Sequence, residues 1–231
     1  MLCILYSFVF VNLNQMELII ATIASLLPII NPFSTAPMFL AMTQGDTEQY
    51  RNLQAKKGVL YMIIILLVSL IAGTFIMNFF GLSLPGMRIA GGILISRVAM
   101  NMLNPSQNDG RTKEEEKEAN EKKDISFTPL AMPSLSGPGA ISVIIGMSSI
   151  ADSVFDYIFI AIGVLVVAVA VFVTLRSASR LVKYLGATGL TAMTKIMGFI
   201  ILCVGIQFIV NGILGIATSN DILKFIQQAT Q

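Results

Sequence analysis

Apolar positions in this chain come in long unbroken runs, without the one-sided spacing of a soluble helix or the alternation of a half-buried strand. Residues 58–80, 157–175 and 196–218 carry no charge at all. Each is close to the roughly 20 apolar residues that a helix needs to cross a bilayer core. Residues 18–44 and 128–151 are equally charge-free but contain prolines and glycines, so they predict interrupted helices. Residues 86–104 make a sixth candidate, with Arg88 and Arg97 inside it.

The pattern therefore predicts an all-α, polytopic membrane protein with six transmembrane helices, the first and fourth of them discontinuous. Residues 1–15 are apolar, lack a basic leader region and are too short to span, so they are expected to be an extension at the interface or to precede a start at Met16. Residues 219–231 form a C-terminal tail. Orientation follows the positive-inside rule. With the N-terminus outside, twelve basic residues, among them Arg51, Lys56, Lys57, Arg176, Arg180, Lys183 and Lys195, fall in inner loops, against Arg88 and Lys224 outside. Both termini are thus expected on the periplasmic side. Arg97 is left within the third span, about 10 Å from its inner end, and is expected to snorkel to the interface.

Composition sharpens this. Only 12% of the 231 residues are charged, and 12 of the 28 charges crowd into residues 105–127. A net charge of +2 offers no footprint for a nucleic acid. The chain has no histidine, which removes His-ligated metals and His-based acid–base chemistry. Cys3 and Cys203 read as buried small hydrophobes. No metal or cofactor site is expected. Nor is an enzyme, because the spans hold no histidine, paired carboxylates or activated nucleophile.

Six of the eight prolines form two triplets, Pro28, Pro32, Pro37 and Pro129, Pro133, Pro138, each pair 101 residues apart. Gly81 before the third span is similarly matched by Gly186 before the sixth, and Arg88-Ile89-Ala90-Gly91 by Lys195-Ile196-Met197-Gly198. This predicts an internal repeat, residues 16–104 and 128–218, joined by a charged cytoplasmic linker at 105–127. Three spans per copy is an odd number, so the copies must enter the membrane from opposite faces as two inverted three-helix repeats.

Discontinuous helices at corresponding points of inverted halves point to a transport site near the bilayer midplane. Between the prolines lie Asn31, Ser34 and Thr35 in one half and Ser134, Ser136, Gly137 and Gly139 in the other. Half-helix N-termini there would offer amides and a positive dipole end, and unwound carbonyls would take a cation or ammonium. With no Asp or Glu in the spans, the expected ligand is a small neutral or zwitterionic solute. Asn31 and Gln207 would either line a path or bond between helices; Gly91, Gly92 and Gly198 read as close-packing points. The rival reading is a non-transporting protein that docks a partner through the 105–127 loop. The expected surroundings are the lipid bilayer; neither a coupling ion nor an oligomeric state is assigned.

Four segments, NPFSTAPMFLAMT, FGLSLPGMRIAGGILI, FTPLAMPSLSGPGAI and KIMGFIILCVGIQFIVNGI, resemble the MarC family of bacterial inner-membrane proteins, with the likeness running from about Met16 to Ile216. The resemblance implies a six-helix inner-membrane protein, and one branch of the family is associated with transport of small neutral amino acids. Asn31, Pro32, Ser34 and Thr35 match the first family motif, and Pro133, Ser134, Ser136, Gly137 and Gly139 the second. Arg97 stands where the family pattern is mostly apolar.

Overall fold

The structure is a computed structural model that describes residues 2–104, 124–149, 151 and 153–218, with backbone alone for 2–15 and 187. Most of the expected linker, residues 105–123, and the tail 219–231 lie outside the described residues. Every element among the described residues is helical: α1 (Leu2–Ile30), α2 (Pro32–Met42), α3 (Glu48–Phe79), α4 (Leu84–Leu103), α5 (Ser126–Leu135), α6 (Pro138–Ser148), α7 (Val154–Arg176) and α8 (Ala178–Ala217). Residues 2–15 continue α1 as helix.

Local chemistry sets the helix starts. Thr47 caps α3 by accepting the Tyr50 amide, and Glu48 lies in the first turn where the dipole favours an anion. Ser83 caps α4 through the Gly86 amide at 3.2 Å. Ser153 and Asp156 cap α7 reciprocally, each side chain bonded to the other's amide. Hydroxyls within the helices bond back to carbonyls one turn earlier: Thr22 to Leu18, Ser69 to Ile65 and Thr174 to Ala170. That satisfies polar groups that hydrocarbon would leave stranded.

The helices are apolar on both sides. On α3, Gly58, Val59, Met62, Leu66, Leu70, Gly73 and Met77 form one buried stripe at helical spacing. The opposite side carries Ile71, Phe75 and Phe79, each more than 70% exposed. Water would not tolerate such a surface and lipid does. Three helices, Glu48–Phe79, Val154–Arg176 and Thr188–Ala217, are long and apolar enough to cross a membrane, and the two bent pairs, Met16–Ile30 with Pro32–Met42 and Ser126–Leu135 with Pro138–Ser148, raise the candidates to five. The remaining expected span, α4, third in chain order, falls outside this set; its 20 residues include Arg88 and Arg97. Arg97 is exposed on the outer side of α4 beside Ile93, Leu94 and Val98, a position from which a long side chain can reach an interface.

Cys203 corrects an expectation. It is exposed on the outer face of α8 next to Phe199 and Ile206, since a thiol is as much at home against lipid as in a core. Gln207 is also exposed, and it donates to Asn211 one turn along the same helix at 2.8 Å, so it neither lines a path nor bonds between helices.

α4 and α8 run antiparallel along a seam of small residues. Gly198, Gly205 and Gly212 recur every seven residues on α8 and meet Ala99, Gly92 and Pro85 of α4 in turn. A β-carbon at Gly92 would stand 2.6 Å from the Gly205 carbonyl oxygen, and one at Gly212 would stand 2.7 Å from that of Pro85. Only glycine permits backbones to approach so closely. Gly91 likewise lets α6 close in, a β-carbon there standing 2.8 Å from Ser142. α8 itself turns at Gly186, whose φ of 63° separates a short first piece from the long span.

Candidate functional site

α1 and α2 are one span broken at a single residue. Hydrogen bonding continues to Asn31, whose amide reaches the Leu27 carbonyl at 3.0 Å, and the chain then turns because Asn31 adopts φ 42° and ψ 71°. Asparagine is among the few non-glycine residues that visit this left-handed region readily. Pro32 follows as the first residue of α2, a position where its missing N–H costs nothing. The two pieces meet at 42°. Pro28 and Pro37, both expected to break the helix, lie inside α1 and α2 instead.

The second break is longer. α5 is wound loosely, with Leu130 bonded to Ile125 and Ser136 to Ala131, each five residues back, and Thr128 and Met132 are extended. The Thr128–Pro129 and Met132–Pro133 peptide bonds are cis. Ser136 and Gly137 then lead into α6, which opens on Pro138, and the bend is 62°. The broken span begins at Ser126, two residues before its expected start.

α2 and α6 match closely. Each has 11 residues, opens on proline, and follows a residue that makes no side-chain cap. In α6 the first bond along the helix is Ile141 N–H to Gly137 at 3.1 Å, so the Gly139 and Ala140 amides project from its end.

The side chains between them are closed off from solvent. Asn31 is 2% exposed, Thr35 5% and Ser136 0%. Thr35 bonds back to the Asn31 carbonyl at 3.3 Å, and half-buried Ser34 does so at 3.4 Å. Asn31 turns its amide nitrogen to the Met102 sulfur on α4 at 3.7 Å, while its Oδ1 has no partner among the described residues. Ser136 Oγ is likewise buried and without a partner. A buried, unbonded polar oxygen is costly, and native structures keep few of them.

Side chains from both breaks come together. Ser134 Oγ lies 3.9 Å from the Met38 sulfur of α2 and bonds the Pro129 carbonyl at 2.8 Å. A β-carbon on Gly139 would sit 3.0 Å from Ile95 of α4 and 3.3 Å from Ile29 just before the first break. Gly137 is packed just as tightly against the Pro133 carbonyl. These glycines therefore serve close approach. Met38, Ile95 and Met102, which wall the region, escape a sequence reading because they look like ordinary apolar filler. Met38 alone carries a signal, its place one turn from Ser34 and Thr35.

At the start of α5, Asp124 accepts from both the backbone and hydroxyl of Ser126 and pairs with Lys57 of α3 at 2.9 Å. The Ser126 hydroxyl bond, followed by the Lys57 bond, lowers its pKa from the ordinary 3.8 to about 2.

Comparison with known proteins gives a consistent result. The family model described as MarC family integral membrane protein matches residues 16–217. The inner membrane protein MarC of Citrobacter koseri is 37% identical over 202 residues, covering 83% of this chain and 91% of its own length. That of Escherichia coli O157:H7 is 37% identical over 206 residues, covering 84% and 93%. The Escherichia coli K12 protein is 38% identical over 202 residues, covering 83% and 91%. No solved structure matches the chain.

Proposed function

The chain belongs to the MarC family of integral membrane proteins, and from that premise we propose that it is an inner-membrane secondary transporter for a small neutral solute such as glycine, alanine or serine. Two inverted three-helix halves, α1 to α4 and α5 to α8, rock about a site between the two breaks, with α4 as the third span of the first half and the basic loops on the cytoplasmic side.

The observation that carries this reading is the pair of unpartnered buried oxygens, Asn31 Oδ1 and Ser136 Oγ, each within two residues of the start of a half-helix, α2 or α6. A small zwitterion complements both features. Its carboxylate is drawn to the Gly139 and Ala140 amides and the positive end of α6. Its ammonium donates to the waiting oxygens.

The packing supports the inverted repeat. α1 lies on α7 as α5 and α6 lie on α3; α2 lies on α8 as α6 lies on α4; and α3 pairs with α7 as α4 pairs with α8. Exchanging the halves maps each of these contacts onto another of them or onto itself, while the α1–α8 and α7–α8 contacts have no counterpart of like extent. Gly81 and Gly186 share a φ of 63°, so the matched glycines turn the chain alike before the third helix of each half.

Purified protein in lipid vesicles, loaded with labelled glycine, alanine or serine under imposed sodium or proton gradients, tests the proposal. Flux of at least one of these is expected. No flux in either direction overturns the reading, and unchanged flux in a Ser136→Leu variant removes Ser136 from the site.

A further inference from the structure

Two small polar clusters close opposite ends of the bundle, and they are built on one plan. At the end where α2 stops, Arg51 of α3 donates from Nε to Thr43 Oγ1 at 3.1 Å, from Nη2 to the Thr43 carbonyl at 3.2 Å and from Nη1 to Ser179 Oγ of α8 at 3.2 Å. Thr43 sends its own proton to the Phe39 carbonyl at 2.7 Å. At the end where α6 stops, Tyr157 of α7 donates to the Ser148 carbonyl at 3.2 Å, and Thr74 of α3 lies 3.3 Å from Ser148 Oγ. Ser148 sends its proton to the Ile145 carbonyl at 2.8 Å, so Thr74 is the donor to it.

The correspondence holds part by part. Thr43 and Ser148 sit at the far ends of the two 11-residue half-helices. Arg51 and Tyr157 are the fourth residues of the helices that follow, and each binds that terminal carbonyl. Ser179 and Thr74 come from the opposite half of the chain and bind the donor or the hydroxyl. The three pairs are separated by 105, 106 and 105 residues. Shared chemistry at matched positions, on ends of α3 about 35 Å apart along the helix axis, is hard to attribute to separate local packing needs. Among the described residues, none of these hydrogen bonds reaches a residue of the proposed site; both clusters tie a broken helix of one half to the other half.

We propose that these clusters are the two gates of the carrier. The Arg51 latch closes one face and the Tyr157 latch the other; both are fastened here, which leaves Asn31 and Ser136 occluded. Each transport step unfastens one latch while the other holds, and the half-helix it releases swings away from the bundle. The inference rests on the transporter reading in requiring that the central site be reached alternately from two faces.

The test needs no substrate. In a background carrying Cys3→Ser and Cys203→Ser, a Ser136→Cys reporter is exposed to a membrane-impermeant maleimide from one face of sealed vesicles or the other. Arg51→Gln is expected to speed labelling from the Arg51 face roughly tenfold to a hundredfold, the worth of a lost hydrogen bond to a charged group. Tyr157→Phe is expected to speed labelling from the opposite face, and neither variant should speed it from both. Thr35→Cys is a second reporter should Ser136→Cys perturb the break. If Arg51→Gln is not recovered folded, Ser179→Ala removes one bond of the same latch and should favour the same face by a smaller factor. Equal acceleration from both faces, or none, overturns the gates. Face-specific labelling in a protein without amino-acid flux keeps the latches and overturns the carrier; flux without face-specific labelling does the reverse.

Discussion

At Asn31 the chain breaks within one residue and resumes an ordinary helix; at the second break it passes through a loosely wound segment of ten residues and two more before α6 begins. The proline spacings are the same, so spacing alone does not set the backbone. In the first half, Pro28 and Pro37 are absorbed within α1 and α2, and a left-handed asparagine turns the chain. In the second half the bend is spread along α5 and ends at a serine and a glycine. Common to the two breaks are a half-helix opening on proline and a buried oxygen with nothing to bond. That shared remainder is where selection for a function would leave its mark.

The comparison can be broken first at the glycines. Gly139→Leu drives a side chain into Ile95 and Ile29, and should lower the unfolding free energy in mixed micelles by about 3 kcal/mol, whereas Met38→Leu, at the matched position of the first break, should change it by less than about 1 kcal/mol. Equal losses would mean that the two breaks are packed alike.

Asn31 separates backbone from side chain. Asn31→Ala forces a residue with a β-carbon and no local polar group into φ 42°, and should cost about 1–2 kcal/mol. Asn31→Gly accepts that torsion and keeps the fold, but without Oδ1 it should lose most amino-acid flux. A glycine variant that transports normally would show that only the turn matters.

The matched hydroxyls should respond in opposite directions. Ser136→Ala removes an unsatisfied buried oxygen and should stabilise the empty protein by about 1 kcal/mol while lowering flux roughly tenfold. Thr35→Val removes a bonded hydroxyl and should destabilise it by about 1 kcal/mol. Stability that falls in both variants would mean that Ser136 already has a partner.

The smallest effect is at Asp124. Its carboxyl titrates below its ordinary value, so any stability it adds is fully present above about pH 4 and disappears as the pH falls toward about 2. An Asp124→Asn variant should therefore track the parent with no difference in slope between about pH 5 and pH 8. A carboxyl signal titrating near neutrality in carbon-detected magnetic resonance would contradict the Ser126 and Lys57 bonds.

Much of this was legible in the residues. Runs without charge located the crossing helices, and the proline triplets located both breaks, because hydrocarbon leaves a chain few options. Which proline yields was not legible. A proline inside a helix is tolerated when neighbours cover the freed carbonyl, and that depends on packing from distant segments. The left-handed torsion at Asn31 is of the same kind. Gln207 was misread because an in-span amide can satisfy itself one turn away on its own helix. The two latches were hidden for a different reason: an arginine answers a tyrosine, and only contact geometry reveals the likeness.

The α4–α8 seam has a mechanical consequence. Helices joined by interdigitated leucines lock like gear teeth, and sliding one along the other means lifting every tooth. Gly92 against Gly205 and Pro85 against Gly212 bring backbone to backbone, while Ile89, Ser96 and Ile209 fill the notches that the glycines leave. Sliding one helix along the other would drive those side chains out of their notches, so the seam is keyed in register although it is narrow. If the two halves of this molecule move against one another, α4 and α8 serve as the line about which they pivot, and the larger displacements fall elsewhere in the packing.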